Sequence, residues 1–154
     1  METRLRTEPQ KKPSVFREVY SIYEPYVYAA VVKEPVTHKI LYEVIEPTLL
    51  KGEEAQLREI KALLIEEVDV SLKELENRER AEEYLKSKVG EVIKDYRLKI
   101  ADEAVDKIMY YIIRDFIGYG KIDPLMKDHL IEDISADGVN IPIYVWHREY
   151  ESLP

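Results

Sequence analysis

Residues 26–45 read YVYAAVVKEPVTHKILYEVI, and this stretch decides the first part of the fold. β-branched and aromatic residues fill Tyr26–Val32 and again Ile40–Ile45, which is typical of paired strands. Between these two runs, residues 35–38 have the composition of a hairpin loop. A shorter strand around Phe16–Tyr23 is placed to pair with them. The sequence therefore predicts an N-terminal β-hairpin or small antiparallel sheet.

Downstream of this sheet, from about Lys51 to Gly118, apolar residues recur at the helical period. Three amphipathic helices of this length, joined by short loops, can bury their apolar stripes against one another as a bundle. The stripes consist of Leu57, Ile60, Leu64 and Val68 in the first helix, Ala81, Tyr84, Leu85, Val89, Val92, Ile93 and Tyr96 in the second, and Val105, Ile108, Met109, Ile112, Ile113 and Phe116 in the third.

Polar residues and glycines mark the ends of these predicted helices. Residues 71–74, SLKE, form a capping-box pattern that restarts a helix, and Asn77 offers a second N-cap. Asp102 is placed to cap the third helix. Gly118 and Gly120 follow that helix, where a C-cap is expected.

After Gly120 the chain changes character again. Pro124 suits the first turn of a short helix, and Ile131–Ser135 and Ile143–His147 read as two strands joined by a turn over residues 137–142. A two-stranded ribbon is marginal in water, so we expect this sheet to be unfinished. Its second strand would then be an exposed edge that carries an aromatic face and pairs with a second molecule.

These patterns together predict an α+β fold, in which a β-hairpin or small antiparallel sheet and a three-helix bundle precede the beginning of a second α/β subdomain. We divide the chain into a flexible N-terminal arm at 1–14, a first N-terminal subdomain of strands and bundle at 15–118, and an incomplete second subdomain at 119–154. A chain of 154 residues has room for one ordinary domain, or for a small domain and a fragment of the next.

Composition excludes several functional classes. The net charge of −8 argues against a general nucleic-acid binder, which needs a basic field to neutralise phosphates. The absence of cysteine rules out disulfides, thiolate zinc sites and cysteine nucleophiles. The most apolar run, Tyr26–Val32, is too short to span a bilayer, and no apolar signal core follows Met1. We therefore expect a cytoplasmic chain.

The common catalytic motifs are also missing from the sequence. No glycine begins a GxxxxGK[ST] phosphate loop, and there is no GxSxG elbow. His38, His129 and His147 lack metal-ligand spacing, so each is expected to be a surface or strand residue. Adjacent carboxylates such as Glu132 and Asp133 do not aim at one substrate atom. We predict no catalytic, cofactor-binding or metal-binding residue in this chain.

Tyrosine is unusually frequent, with 12 tyrosines against two phenylalanines, and five of them crowd the β region. Two explanations stay open: half-buried strand packing with hydroxyls that reach water, and a tyrosine-rich contact face. The acidic balance disfavours stacking on nucleic acid. A basic cluster in the arm is either solvated or in contact with an anionic surface or a partner. The candidate partner-contact residues are Tyr20, Tyr23, Tyr26, Tyr28, Tyr42, Arg4, Arg6, Lys11 and Lys12.

Several short strings carry a resemblance to a known family. They are GKIDPLMKD at Gly120–Asp128, IEDIS at Ile131–Ser135, DGVNIP at Asp137–Pro142 and YVWHR at Tyr144–Arg148, with weaker support upstream at Glu24–Ala30 and Tyr42–Pro47. On these residues the chain resembles the N-terminal region of archaeal secretion-type ATPases of the type II/type IV secretion system superfamily. The pattern favours the FlaI-like archaellum motor ATPases over their GspE-type relatives in pilus assembly.

The resemblance implies a docking and regulatory region of a hexameric ATPase that powers assembly and rotation of the archaellum or of a type IV pilus-like filament. The RecA-like motor domain, with its phosphate loop and Mg-ATP, would lie outside these 154 residues, so the chain itself is predicted to be inactive. The implied partners are a polytopic membrane platform protein and cytoplasmic motor accessory proteins, with no nucleic acid. The implied location is the inner face of the cell membrane, reached through those partners.

A free-standing, non-enzymatic adaptor of the same filament machinery is the alternative. The unfinished ribbon is expected to separate the two interpretations, because an independent adaptor should close its own sheet. A small enzyme in its own right has no residue constellation to support it.

Overall fold

The computed structural model of the chain describes residues 15–68, residue 72 and residues 77–154. Within these ranges the chain forms six strands and four α-helices. In order they are β1 (Val15–Tyr23), β2 (Val27–Lys33), β3 (Ile40–Ile45), α1 (Lys51–Glu67), α2 (Arg78–Asp95), α3 (Asp102–Phe116), a short 3-10 turn (Gly120–Ile122), α4 (Asp123–Lys127), β4 (Ile131–Ser135), β5 (Tyr144–His147) and β6 (Glu151–Leu153).

The first sheet is an antiparallel meander in the order β1-β2-β3, which confirms the small antiparallel sheet expected from the sequence. Its central strand is deeply buried from Val27 to Val32 except at Tyr28. Residues directly opposite in such a sheet share a face. Val31 lies opposite Tyr42, and Ala29 lies opposite Tyr20, so these four side chains lie on one face of the sheet.

The three-helix bundle is confirmed. Nine residues of α1, α2 and α3 form one buried apolar cluster, and burying a large aliphatic side chain contributes about 1.5–3 kcal/mol. The cluster consists of Leu57, Ile60, Leu64, Leu85, Val89, Val92, Ala104, Ile108 and Ile112.

Of the predicted helix N-caps, the one at Asn77 is confirmed. The side chain of Asn77 accepts a hydrogen bond from the backbone N–H of Arg80 at 2.9 Å, as predicted for the start of α2. Asp102 is not the cap of α3: Ala101 occupies that position without a side-chain bond, and Asp102 is the first helical residue. There its carboxylate faces the positive end of the helix dipole. The capping box predicted at residues 71–74 lies outside the described residues, apart from Leu72.

The second sheet corrects the prediction of an unfinished ribbon. It has three antiparallel strands in the order β4-β5-β6. The added strand β6 pairs with β5, with Val145 opposite Leu153, so β5 is the central strand and not an exposed edge. Strand β6 was not predicted, because a strand of three residues is too short to show an alternating pattern in the sequence. The aromatic face, however, is present: Tyr144 and Trp146 are 41% and 48% exposed.

The two sheets pack against each other and share a second apolar cluster. Val31 of the first sheet, Leu125 of α4, and Val145 and Leu153 of the second sheet are its buried members. At the edges of the sheets, the backbone N–H of Tyr42 in β3 donates to the carbonyl oxygen of Pro154, which follows β6, at 3.0 Å. The predicted division at residues 118–119 therefore crosses a packed interface, and as a division into domains it stays a prediction.

A polar seam joins the bundle to the first sheet. We use this name for the contacts of α3 with the connection from β3 to α1. Tyr110 Oη donates to Glu46 Oε1 and Tyr111 Oη donates to the carbonyl oxygen of Pro47, both at 2.6 Å. Lys107 Nζ donates to the carbonyl oxygen of Thr48 at 3.2 Å. The rings of Tyr23 and Tyr26 also lie against Tyr110, at 6.4 and 5.7 Å between centroids.

Gly118 connects the end of α3 to α4 through a very close contact. A Cβ atom at this position would overlap the carboxylate of Asp123 and lie 2.7 Å from the carbonyl oxygen of Arg114. Asp123 is buried, accepts a hydrogen bond from the backbone N–H of Tyr119 at 3.0 Å, and pairs with Lys127 Nζ at 2.7 Å. Only glycine leaves room for this carboxylate.

We therefore predict opposite effects for two glycine substitutions. Gly118→Ala should lower the free energy of unfolding by about 1–3 kcal/mol, because the buried carboxylate and the helix end must move. Gly90→Ala, in the exposed middle of α2 with no atom within 4 Å of the added carbon, should raise it by about 0.5–1 kcal/mol. Urea unfolding followed by circular dichroism measures both. Equal effects of the two substitutions would contradict the close contact at Gly118.

Candidate functional site

The strongest constellation of polar side chains lies at the junction of the two sheets and centres on Asp128. This residue follows α4 with an extended backbone, and its N–H donates to the carbonyl oxygen of Pro124 at 3.1 Å. Ending the helix here turns the carboxylate toward the first sheet. The side chain is only 4% exposed, so its charge needs partners inside the protein.

Tyrosine hydroxyls supply those partners. Tyr20 of β1 and Tyr42 of β3 each donate to Asp128 Oδ2 at 2.6 Å, and the backbone N–H of Leu130 donates to Oδ1 at 2.8 Å. Hydrogen bonds to an ionised acceptor are shorter and stronger than those between neutral groups. One carboxylate thus joins both outer strands of the first sheet to the start of the second.

His147 of β5 completes the network and is fully buried. Its Nδ1 accepts the backbone N–H of Glu149 at 3.1 Å, so the ring proton sits on Nε2. Nε2 lies 3.1 Å from Tyr20 Oη, whose own proton points to Asp128, so the imidazole donates to that hydroxyl. The hydrogen-bond pattern assigns His147 as the neutral Nε2–H tautomer.

Burial and the neighbouring carboxylate act on the two hydroxyls. Burial, followed by the hydrogen bond to Asp128, raises the pKa of Tyr20 and of Tyr42 well above the ordinary tyrosine value. Both hydroxyls therefore remain protonated donors. No buried side-chain nitrogen or oxygen lacks a partner in the described part of the chain. A network with every group satisfied holds elements in place and leaves no acceptor for a substrate proton.

Residues from several of the resemblance strings lie at this junction or next to it. Gly120 takes a φ of +61°, a left-handed conformation that glycine adopts without strain, and turns the chain from α3 into α4. Pro124 and Leu125 are buried in α4 beneath the second sheet. The last residue of the first string is Asp128, and the fourth position of the last string is His147.

The structure places the predicted partner-contact tyrosines in different surroundings. Tyr20 and Tyr42 turn inward to Asp128, so they bind the two sheets together and are not a free contact face. Tyr23 is exposed and Tyr26 half-buried, and both lie in the polar seam beside Tyr110. Tyr28 is half-buried in β2. The predicted basic residues Arg4, Arg6, Lys11 and Lys12 lie outside the described residues.

Sequence reasoning missed Asp128, the role of His147, and the buried Arg114. The burial of His147 could have been predicted from the sequence. It lies two residues after Val145, and residues at this spacing share one face of a strand, here the inward one. Arg114 follows Tyr110 by one helical turn on a side of α3 that the apolar stripe does not include. Nothing in the spacing of Asp128 marks it as buried.

The structure offers no metal centre and no bilayer-crossing helix in the regions it describes. No group of His, Cys, Asp and Glu side chains there is arranged to hold a metal ion. None of the helices formed by the described residues combines the length and the apolar content needed to cross a membrane.

Comparison with known proteins finds similar chains in the archaeon Methanocaldococcus jannaschii, while no family model matches. The uncharacterized protein MJ1288 is 44% identical over 112 residues, which cover 73% of this chain and 44% of that protein. The uncharacterized protein MJ0900 is 30% identical over 154 residues, which cover 88% of this chain and 27% of that protein. The chain thus spans less than half the length of these relatives.

The first prediction from the junction concerns Asp128. Asp128→Asn replaces one of two acceptor oxygens with an NH₂ donor, which must face either the two tyrosine hydroxyls or the N–H of Leu130, all of them donors. It also removes the charge, so we expect the free energy of unfolding to fall by about 2–4 kcal/mol. Asp133→Asn, at an exposed position of β4, is the matched control and should change it by less than about 0.5 kcal/mol. Chemical denaturation at neutral pH measures both, and a loss no larger than that of the control would show that the junction does not depend on this carboxylate.

The second prediction concerns alkaline pH. The unfolded chain releases its tyrosine protons above the ordinary pKa of about 10, whereas the folded chain keeps those of Tyr20 and Tyr42. The unfolded state then binds fewer protons, so stability is fully present below about pH 10 and falls as the pH rises further. Tyr42→Phe removes one of these groups, so its stability should fall less steeply above pH 10. Denaturation midpoints across this range measure the slopes, and equal slopes would contradict the assignment.

Proposed function

We propose that this chain is a docking and regulatory region of a secretion-type ATPase that powers an archaellum or a type IV pilus-like filament. The observation that carries the proposal is the coincidence of the resemblance strings with the junction. Asp128 and His147, from the first and the last of these strings, meet in one hydrogen-bond network through Tyr20, and Leu125 of the first string belongs to the apolar cluster between the sheets. A common structural role of these positions supports the proposed relationship.

A docking role, as opposed to catalysis in the chain itself, is supported by what is buried and what is exposed. The buried polar groups of the junction satisfy one another and are closed to solvent. By contrast, the outer face of the second sheet exposes Tyr144 and Trp146, and Val139 and Ile141 are exposed in the loop that joins β4 to β5. Large aromatic side chains are enriched among the residues that dominate protein contacts.

The remaining features of the proposal come from the resemblance. The longer protein would form a homo-hexamer, bind Mg-ATP in a separate motor domain, and contact a polytopic membrane platform protein and accessory proteins on the cytoplasmic side. Both relatives are more than twice as long as the region they share with this chain, which leaves room for such a domain.

A free-standing adaptor of the same machinery is the second candidate, and one observation favours it. The second sheet is completed by β6 and covered by the first sheet, so the expected unfinished ribbon no longer argues for missing strands. By the expectation that an independent adaptor completes its own sheet, this observation favours the adaptor. Whether the reading frame also encodes a motor domain distinguishes the two candidates.

The reading frame and nucleotide binding test the choice. If the proposal holds, the frame contains a GxxxxGK[ST] loop and its whole product hydrolyses Mg-ATP. The chain of 154 residues, which has no such loop, should give no saturable heat in calorimetry with Mg-ATP. A reading frame without the loop would favour the adaptor. Saturable binding of Mg-ATP to the 154-residue chain alone would contradict the proposal that nucleotide binds in a separate motor domain.

Competition tests the docking role itself. An excess of the 154-residue chain should displace the whole product from sedimenting membranes of the source cells, because the docking contacts are proposed to lie in the chain. An acidic protein of similar size and unrelated sequence is the control. Sedimentation that is unaffected by the chain would place the docking contacts elsewhere.

A further inference from the structure

An open cavity of about 340 Å³ lies where β1, α2, α3 and α4 meet, away from the Asp128 junction. Three cationic side chains, Arg78, Arg114 and Lys127, line it together with the single carboxylate of Glu82. Tyr23, Tyr110 and Ile113 supply the apolar part of the wall. The volume is at the lower end of the range for small-ligand sites.

Arg114 is the most firmly held of the three cations and is only 8% exposed. Its Nε donates to Asp115 Oδ1 at 2.6 Å, and its Nη1 donates to both carboxylate oxygens of Glu46 at 2.8 and 3.0 Å. Its guanidinium also lies over the ring of Tyr111, 4.7 Å from the centroid. Among the described residues nothing bonds to its Nη2. Arg114 thus lines the cavity and keeps one donor nitrogen without a described partner.

Arg78 and Lys127 face the same space with unused donors. Arg78 is the first residue of α2, where the helix dipole adds positive potential, and only its Nε is engaged, with Glu82 Oε1 at 2.9 Å. Lys127 Nζ is held by Asp123 at 2.7 Å and lies 5.0 Å from the centroid of the Tyr23 ring. Each pairing engages one cation and leaves some of its N–H groups free of described partners.

The charge balance narrows the kind of ligand. Every one of the three cations has a carboxylate partner, so the cavity offers fixed N–H donors without a large net positive charge. A ligand group that needs few donors and little charge compensation fits such a cavity best. A carboxylate monoanion meets this condition better than a phosphate dianion. The tyrosine rings and Ile113 suit an aliphatic stem attached to that group.

We propose that this cavity binds a carboxylate on a short aliphatic stem, between Arg78, Arg114 and Lys127. The carboxylate comes either from an acidic peptide side chain or from a free small carboxylic acid. The proposed site consists only of residues of this chain. Its test is therefore independent of the test of the proposed function.

The probes are N-acetyl-Leu-Glu-amide, its neutral counterpart N-acetyl-Leu-Gln-amide, propionate and inorganic phosphate. Each is titrated into the ¹⁵N-labelled chain while the amide signals of Arg78, Glu82, Ile113 and Lys127 are followed. Saturable shifts with the glutamate peptide or with propionate are expected, and the tighter of the two identifies the source of the carboxylate. Shifts that are equal for the glutamate and glutamine peptides, tighter binding of phosphate, or no saturation with any probe would each overturn the proposal.

Two further variants each remove one partner of the ion pair between Arg78 and Glu82, and they make the test more specific. Arg78→Gln removes donors and should weaken carboxylate binding about tenfold. Glu82→Gln removes the competing carboxylate and should strengthen binding about threefold. A purely structural effect of breaking the pair would move both affinities in the same direction. Arg58→Gln, at an exposed position of α1, is the matched control and should leave binding unchanged.

Discussion

Two tyrosine hydroxyls from opposite edge strands of the first sheet converge on one carboxylate oxygen of Asp128. A buried carboxylate without donors is costly, and at the end of α4 Asp128 reaches both hydroxyls and the N–H of Leu130. Next to this contact, Leu125 of α4 and Val31 of the first sheet belong to one apolar cluster. The polar contact and the apolar cluster therefore hold α4 and the two sheets together, and His147 joins the polar network from β5.

Composition and periodicity were sufficient to predict most of the secondary structure. The strands of the first sheet follow from their β-branched and aromatic residues, and the helices of the bundle follow from apolar stripes at the helical period. The failures are short or local. β6 has three residues and begins with Glu151 at a φ of +59°, which strand propensity does not anticipate. The cap of α3 falls one residue before the expected Asp102, since Ala101 takes the extended conformation.

The polar sites were harder to predict than the elements, since their partners are distant in the sequence. Tyrosine frequency marked Tyr20 and Tyr42 as candidate contact residues. Both hydroxyls bond instead to Asp128, 108 and 86 residues further along the chain, and no local pattern reveals that partner. The same holds for Arg114, which looks like an ordinary polar residue in a helix until Glu46 approaches it from 68 residues away. A hydrogen bond between such positions is a property of the packed chain.

The polar seam differs in kind from the contacts inside the two bodies that it joins. The bundle and the sheets each have their own apolar cluster, and the two clusters have no residue in common. What joins them along α3 consists of hydrogen bonds to Glu46, Pro47 and Thr48, of the ion pair of Arg114 with Glu46, and of tyrosine rings. A hydrogen bond needs a particular donor, acceptor and direction, whereas apolar packing is far less directional. The seam therefore specifies the orientation of the bundle on the sheets, and Tyr110 and Glu46 lie at the point where that orientation is set.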